Sequence, residues 1–246
     1  MYGKRTLLEY LKSSGLKNVA SFSNGALVDP GRFSVAAVET DAAILFADLP
    51  GYSRMATEID GVECAYLVSH FYTWFDQGAK PYGALIDKFI GDELILVFPA
   101  DECEGEPLQA ALHAAHAMLD GDAFGFSPKI GIAHGRVTIA IVGTNDTMSV
   151  TALGETVNLA ARCVQGLEPQ TIRVATEDTK IAASIFDTQS QRWSICGPCG
   201  FTPKNMAKTM ALIIERNTVF VPQFNYREDL RKAATFAREN GAVIER

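Results

Sequence analysis

The sequence predicts an α+β protein organised around one mixed β-sheet. Three observations predict it. Apolar runs of strand length alternate with segments of helical period, in the order strand, helix, hairpin, helix, hairpin, helix, strand. Turn signals join neighbouring runs into hairpins. Two aspartates, Asp48 and Asp92, each sit where an extended apolar run meets a turn, in Phe46-Ala47-Asp48-Leu49-Pro50-Gly51-Tyr52-Ser53 and Lys88-Phe89-Ile90-Gly91-Asp92-Glu93.

Leu7 to Leu16 reads as a short helix, and a Gly-, Pro- and Asn-containing stretch runs on to Gly31. Residues 1–37 are therefore expected to be an N-terminal arm, 38–216 the main domain, and 217–246 an extension with a charged helix from Arg227 to Glu239. Ala42 to Ala47 is a continuous apolar run, the pattern of a strand buried on both faces. Val62 to Gly78 places Cys64, Leu67, Val68, Phe71, Tyr72 and Phe75 at helical spacing. Gly83 to Ile86 and Leu94 to Phe98 flank a Gly-Asp pair and read as a hairpin with the carboxylate at its tip. Pro107 to Leu119 is a helix with proline in its first turn. Lys129 to Gly143 reads as two strands around a His134-Gly135 turn. Val150 to Gly154 is a short extended piece. Glu155 to Gln165 is a helix carrying Asn158 and Arg162 on one face. Arg173 to Ala175 and Met210 to Ile214 are further strands.

With 48% hydrophobic and 21% charged residues, the chain has ample material for a core. A net charge of -7 argues against an open nucleic-acid surface, which needs a positive excess. It leaves room for a nucleotide whose charge is met locally. No apolar run approaches the ~20 residues of a bilayer span. Charged residues follow the first five positions too closely for a signal-peptide core. Five cysteines, few and odd in number, fit a reducing cytoplasm. Cys196-Gly197-Pro198-Cys199 spells a redox motif, but Gly200-Phe201-Thr202-Pro203 after it cannot start a helix of the required kind, so a turn in a loop is expected. His113 and His116 are three apart on a helix with no third ligand nearby. They read as ordinary helix residues, and His134 as structural.

Paired carboxylates at strand ends suit two divalent cations holding a triphosphate. Around them, Ile44 to Ser53, Lys88 to Phe98, Gly131 to Gly143 and Thr151 to Arg162 together resemble the catalytic domain of class III nucleotidyl cyclases, over roughly residues 38 to 216. The resemblance implies a ferredoxin-like βαββαβ core acting as a head-to-tail homodimer with active sites at the interface. It implies catalytic Asp48, Asp92, Asn158 and Arg162, and two cations (Mg²⁺ or Mn²⁺) on Asp48, Asp92 and the Leu49 carbonyl. Lys88 and Thr151 would read the base. Gly51, Tyr52 and Lys204 would bind phosphates, with Asn205 beside Lys204 in place of the usual glycine and tolerant of positive φ. Lys88 lies four residues before Asp92, ~13 Å along a strand, a gap that a second subunit resolves.

The expected substrate is a nucleoside triphosphate and the product a 3',5'-cyclic nucleotide. Two readings of the base compete. Lys88 with Thr151 is what adenylate-forming members of the subgroup carry. The bulk of Phe89 and Glu93 and the compact form favour, narrowly, a pyrimidine (uridylate or cytidylate) cyclase of anti-phage defence, whose product a separate effector would read. A catalytically silent binding module is a third possibility, opposed by the presence of Asp48, Asp92 and Arg162. The Gly91-Asp92-Glu93-Leu94 stretch only grazes a diguanylate cyclase signature.

Overall fold

A computed structural model describes residues 6–14, 19–21, 34–122, 125–143 and 148–217. The predicted C-terminal helix, the end of the first helix beyond Ser14 and most of the arm's Gly/Pro-containing stretch lie outside the described residues. The order of elements is α1 (Leu7–Ser13), β1 (Val19–Ser21), β2 (Ser34–Asp48), α2 (Tyr52–Met55), α3 (Gly61–Ala79), β3 (Leu85–Ile90), β4 (Glu93–Pro99), α4 (Pro107–Asp120), β5 (Lys129–Gly143), β6 (Met148–Leu153), α5 (Glu155–Cys163), β7 (Thr171–Val174), α6 (Thr179–Ala183), β8 (Trp193–Phe201) and β9 (Thr209–Arg216).

One mixed sheet runs β3-β4-β2-β5-β7-β9-β8, with β1 paired to β2 and β6 to β5. Within it, β2-α3-β3-β4-α4-β5 gives the sheet order β3-β4-β2-β5, all antiparallel, which is the ferredoxin-like arrangement. The continuous run in β2 follows from cover on both faces. Ala43, Leu45 and Ala47 enter one core with Phe71 and Phe75 of α3 and Leu112 and Met118 of α4. Ala42, Ile44 and Phe46 enter the other, with Leu7, Tyr10 and Leu11 of α1 and Ala160 of α5. Helix α3 starts one residue earlier than its apolar pattern because Asp60 and Glu63 form a capping box.

Two expectations are corrected. Lys129 to Gly143 is one strand of 15 residues, not two around a turn, because it pairs without a break against β2 from Asp48↔Lys129 to Ala37↔Ala140. Gly135 serves a different purpose there: a Cβ on it would lie 2.9 Å from the Thr156 hydroxyl of α5. The Cys196–Cys199 segment is likewise strand, not loop. It forms β8 against β9, with Gly197 and Pro198 as a bulge between the two cysteines, both exposed and unbonded. Sequence periodicity overlooked β8 because that bulge and the exposed residues around it erase the alternation.

Register dictates a strong curl. Lys88 pairs with Ile95, Ile95 with Phe46, and Phe46 with Gly131, whereas Thr151 pairs with Ala140. In a flat sheet those rows would be ~30 Å apart along β5, and β3 and β6 four strand spacings, ~19 Å, apart laterally. Yet Lys88 Nζ donates a hydrogen bond to Thr151 Oγ1. The long β2–β5–β6 ladder therefore coils over the second core until β6 meets β3.

Candidate active site

The acidic end forms where β2 stops. Asp48 is its last residue and pairs across the sheet with Glu93 on one side and Lys129 on the other. Asp92 is in the β3–β4 turn, whose Gly91 has φ 62°. That turn is tied down twice: the Leu49 N–H donates to the Asp92 carbonyl at 3.3 Å, and the Tyr72 hydroxyl donates to the Gly91 carbonyl. Tyr72 thus anchors the loop that carries Asp92.

Electrostatics mark this end as short of positive charge. Burial and then the Asp92 carboxylate push the Asp48 carboxyl up, against Lys129, whose ammonium is 3.7 Å from Asp48 Oδ2. Burial, Asp48 and Asp92 push Glu93 up to about 7. Such crowding of carboxylates is relieved by a cation. The donors fit a hard divalent ion held by one or two carboxylates plus substrate phosphates. They do not form a closed cage: among the described residues no set of three or more His, Cys, Asp or Glu is arranged to hold a metal by itself. The Leu49 carbonyl, expected as an extra ligand, accepts the Tyr52 N–H at 3.3 Å. Its second lone pair remains for a cation, while the Tyr52 N–H is already engaged. Gly51, at φ 75°, opens this turn as expected. Lys129 and Glu93 are the residues that sequence reasoning missed at this end; what gives them meaning is their cross-strand pairing with Asp48, which the sequence alone does not state.

The two expected base-reading residues lie elsewhere. Lys88 and Thr151 meet at the β3–β6 seam, within one chain. Asp87, unnoticed in the sequence, joins them: the Thr151 hydroxyl donates to its Oδ2 at 3.2 Å, the Ala152 N–H at 3.4 Å, and Lys88 Nζ lies 3.8 Å away. Burial pushes the Asp87 carboxyl up, opposed by Lys88 and by these hydrogen bonds. Phe89 turns to the other side of β3 and stacks on Tyr72, with ring centroids 4.1 Å apart. It does not narrow the space beside Lys88, and Glu93 faces the acidic end.

Helix α5 presents Asn158 and Arg162 on one face, as their spacing predicts. Its placement is enforced by Gly131: a Cβ there would lie 2.5 Å from both the Ala160 carbonyl oxygen and the Val164 nitrogen. The Thr156 hydroxyl completes the docking by donating to the Arg136 carbonyl at 2.9 Å. Lys204 is exposed in the β8–β9 turn, beside Asn205 at φ 63°, the positive value its position demanded. Ile132, Val174 and Leu212 share a row across β5, β7 and β9. Lys204 therefore lies beyond the end of β9 that points away from Asp48. One chain brings Asp48 to Asp92, and Lys88 to Thr151, but keeps Lys204 away from the acidic end.

Residues 35–208 match the family described as adenylate and guanylate cyclase catalytic domain, and the chain belongs to that family. It is 30% identical over 161 residues to an uncharacterized protein of Mycobacterium bovis, a match that covers 64% of this chain and 28% of that one. Over 142 residues it is 29% identical to an adenylate cyclase of Anabaena cylindrica, covering 52% and 27% of the two chains. The chain thus matches little more than a quarter of the length of these relatives. Its fold is that of the adenylyl cyclase CyaB from P. aeruginosa (TM-score 0.58, 19% identity, 76% of this chain and 99% of that one). It is also that of a non-canonical dimeric guanylyl cyclase domain from Blastocladiella emersonii (TM-score 0.58, 16% identity, 73% and 98%). No helix among the described residues is long and apolar enough to cross a membrane.

Proposed function

We propose that the chain cyclises a nucleoside triphosphate to a 3',5'-cyclic nucleotide and pyrophosphate, in a head-to-tail homodimer. The observation that carries this reading is the convergence of Asp48 with Asp92, the turn residue next to its cross-strand partner Glu93, crowded enough to raise the Asp48 carboxyl. In the reaction the ribose 3'-oxygen attacks the α-phosphorus in line, its proton is lost, and the bond to the pyrophosphate oxygen breaks. Divalent cations, when bound, lower the pKa of the attacking hydroxyl and neutralise the leaving group. Asp48, Asp92 and the Leu49 carbonyl would hold them, and Lys129 stands beside Asp48 within reach of phosphate oxygens. From the partner chain, Lys88 and Thr151 would hold the base, Asn158 the ribose, Arg162 the charge growing on the α-phosphate, and Lys204 the outer phosphates. The separation of Lys204 from Asp48 within a chain supports a shared site.

ATP is the favoured substrate: Lys88 and Thr151 meet at the seam, and the Anabaena relative is named an adenylate cyclase. The pyrimidine and anti-phage reading loses its steric motive, since Phe89 and Glu93 both point away from Lys88. Incubating the pure protein with each of the four ribonucleoside triphosphates and Mn²⁺, with products identified by mass spectrometry, tests both levels. Cyclic AMP and pyrophosphate are expected. Cyclic UMP or cyclic CMP as main product would restore the pyrimidine reading, and no cyclic product from any of the four would overturn cyclase activity.

A further inference from the structure

Asp87 has no part in the chemistry outlined above, yet its placement is unusual. Register between β3 and β4 shifts between Ile86 and Lys88, so Asp87 is the extra residue of a β-bulge. Regular alternation would send Asp87 and Lys88 to opposite faces. The bulge instead aims both at Thr151. The Asp87 side chain is 1% exposed. Its Oδ1 is buried with no hydrogen-bond partner among the described residues. Buried carboxylates that serve packing alone are satisfied; this one keeps an unmet acceptor beside a pair of base-reading side chains.

We propose that Asp87 is a positioning residue that sets base selectivity by fixing the Thr151 hydroxyl as a hydrogen-bond acceptor toward the bound base. The proposal rests on the cyclase reading and deepens it. A threonine hydroxyl has one proton to donate. Asp87 Oδ2 takes it at 3.2 Å, nearer than the Ala152 carbonyl at 3.4 Å. Lys88 only donates, so it does not compete for the proton. Thr151 is then left with lone pairs alone to offer a ligand. It is also the deeper of the pair, 3% exposed against 37% for the Lys88 side chain. The exocyclic substituent projects furthest from a base ring and reaches the pocket floor. An acceptor there takes an amino group, as on adenine or cytosine, and rejects the carbonyl of guanine or uracil. Lys88, at the mouth, donates to the neighbouring ring nitrogen. The bulge makes this possible by placing the locking carboxylate and the donating ammonium side by side.

The test is the ratio of kcat/KM for ATP and CTP to that for GTP and UTP, in wild type and Asp87→Asn. An amide NH₂ donates to Thr151 Oγ1 and frees its proton for an exocyclic carbonyl. The wild-type ratio is expected to favour amino-bearing bases, and Asp87→Asn to lower it roughly tenfold or more, with GTP and UTP unchanged or improved. A purely structural role would depress all four nucleotides in proportion, and that result would overturn the proposal. Asp87→Ser, also uncharged, is the second variant, read in the same way. If both variants are insoluble, Asp87 is a stability residue and the proposal fails. Dissociation constants for the four 3'-deoxy nucleoside triphosphates, which lack the attacking hydroxyl, give the ratio without turnover. A wild type that shows the binding preference but forms no product defeats the cyclase reading alone.

Discussion

The acidic end and the β3–β6 seam each gather polar side chains that the sequence scatters, but they are built by opposite routes. At the acidic end, Asp48 comes from a strand end and Asp92 from the adjoining hairpin tip, brought together by the Asp48–Glu93 rung and the Leu49 N–H bond to the Asp92 carbonyl. Little long-range geometry is required, and the cost is electrostatic: carboxylates crowd until their pKa values rise. At the seam, Lys88 and Thr151 are 63 residues apart. They meet only because the ladder on the 15-residue strand β5 coils, and a bulge adds Asp87 to the pair. There the charges are compensated, and the cost is geometric. Substitutions at the acidic end should therefore alter chemistry while sparing the fold, and substitutions in the β5 ladder should do the reverse.

The largest effect is expected from Asp92→Ala. Removing one of the two carboxylates proposed to hold cations should lower turnover about 10³-fold or more, roughly 4 kcal/mol of barrier. The fold should not suffer, because a crowded carboxylate is lost and the turn is held by backbone groups and Tyr72. A thermal midpoint at or above that of wild type, with turnover abolished, fits the contrast. A variant that unfolds would break it.

The second experiment asks whether the two regions serve one site from different chains. Asp92→Ala and Arg162→Ala homodimers should each be inactive. Mixed and allowed to exchange, half of the dimers pair one of each, and one of their two sites is intact, so roughly a quarter of wild-type activity should return. Mixtures that stay silent despite demonstrated subunit exchange would mean that each chain carries a whole site.

Gly131→Ala probes the geometric side. Its Cβ would meet backbone atoms of α5 at 2.5 Å, which no side-chain rotation relieves. We expect a loss of about 1–3 kcal/mol in stability and displacement of Asn158 and Arg162. Activity should then fall while Mn²⁺ affinity is unchanged. An unaltered thermal midpoint would mean that α5 does not need this contact.

How much of this was legible depended on sequence distance. Asp48 and Asp92 could be read because each sits on its own apolar run beside its own turn residues. Asn158 and Arg162 could be read because one helix carries both. Lys129 was missed although it lies on a predicted strand, because its meaning comes from the partner strand's register, which a single sequence does not state. Asp87 was missed because a bulge breaks the alternation from which a side chain's direction is inferred. Gly135 was misread as a turn because close helix packing and a turn demand glycine alike. Phe89 looked like a pocket wall because bulk is visible in a sequence and direction is not.

The smallest effect sharpens the electrostatic half of the contrast. Glu93 titrates near 7 in the folded chain against an ordinary value of 4.5. Below 4.5 it is protonated in both states and imposes no penalty. Between 4.5 and 7 the unfolded chain ionises first, so stability falls as pH rises; above 7 the loss is complete. In chelated, cation-free protein, Glu93→Gln should therefore raise the thermal midpoint at pH 8 and change it little near pH 5. The expected gain is about 1–2 kcal/mol, less than the full shift implies because solvent reaches part of the side chain. Added Mn²⁺ should shrink it, since a bound cation relieves the same repulsion by attraction. A gain independent of both pH and Mn²⁺ would assign the effect to packing, and the acidic end would then owe nothing to unmet negative charge.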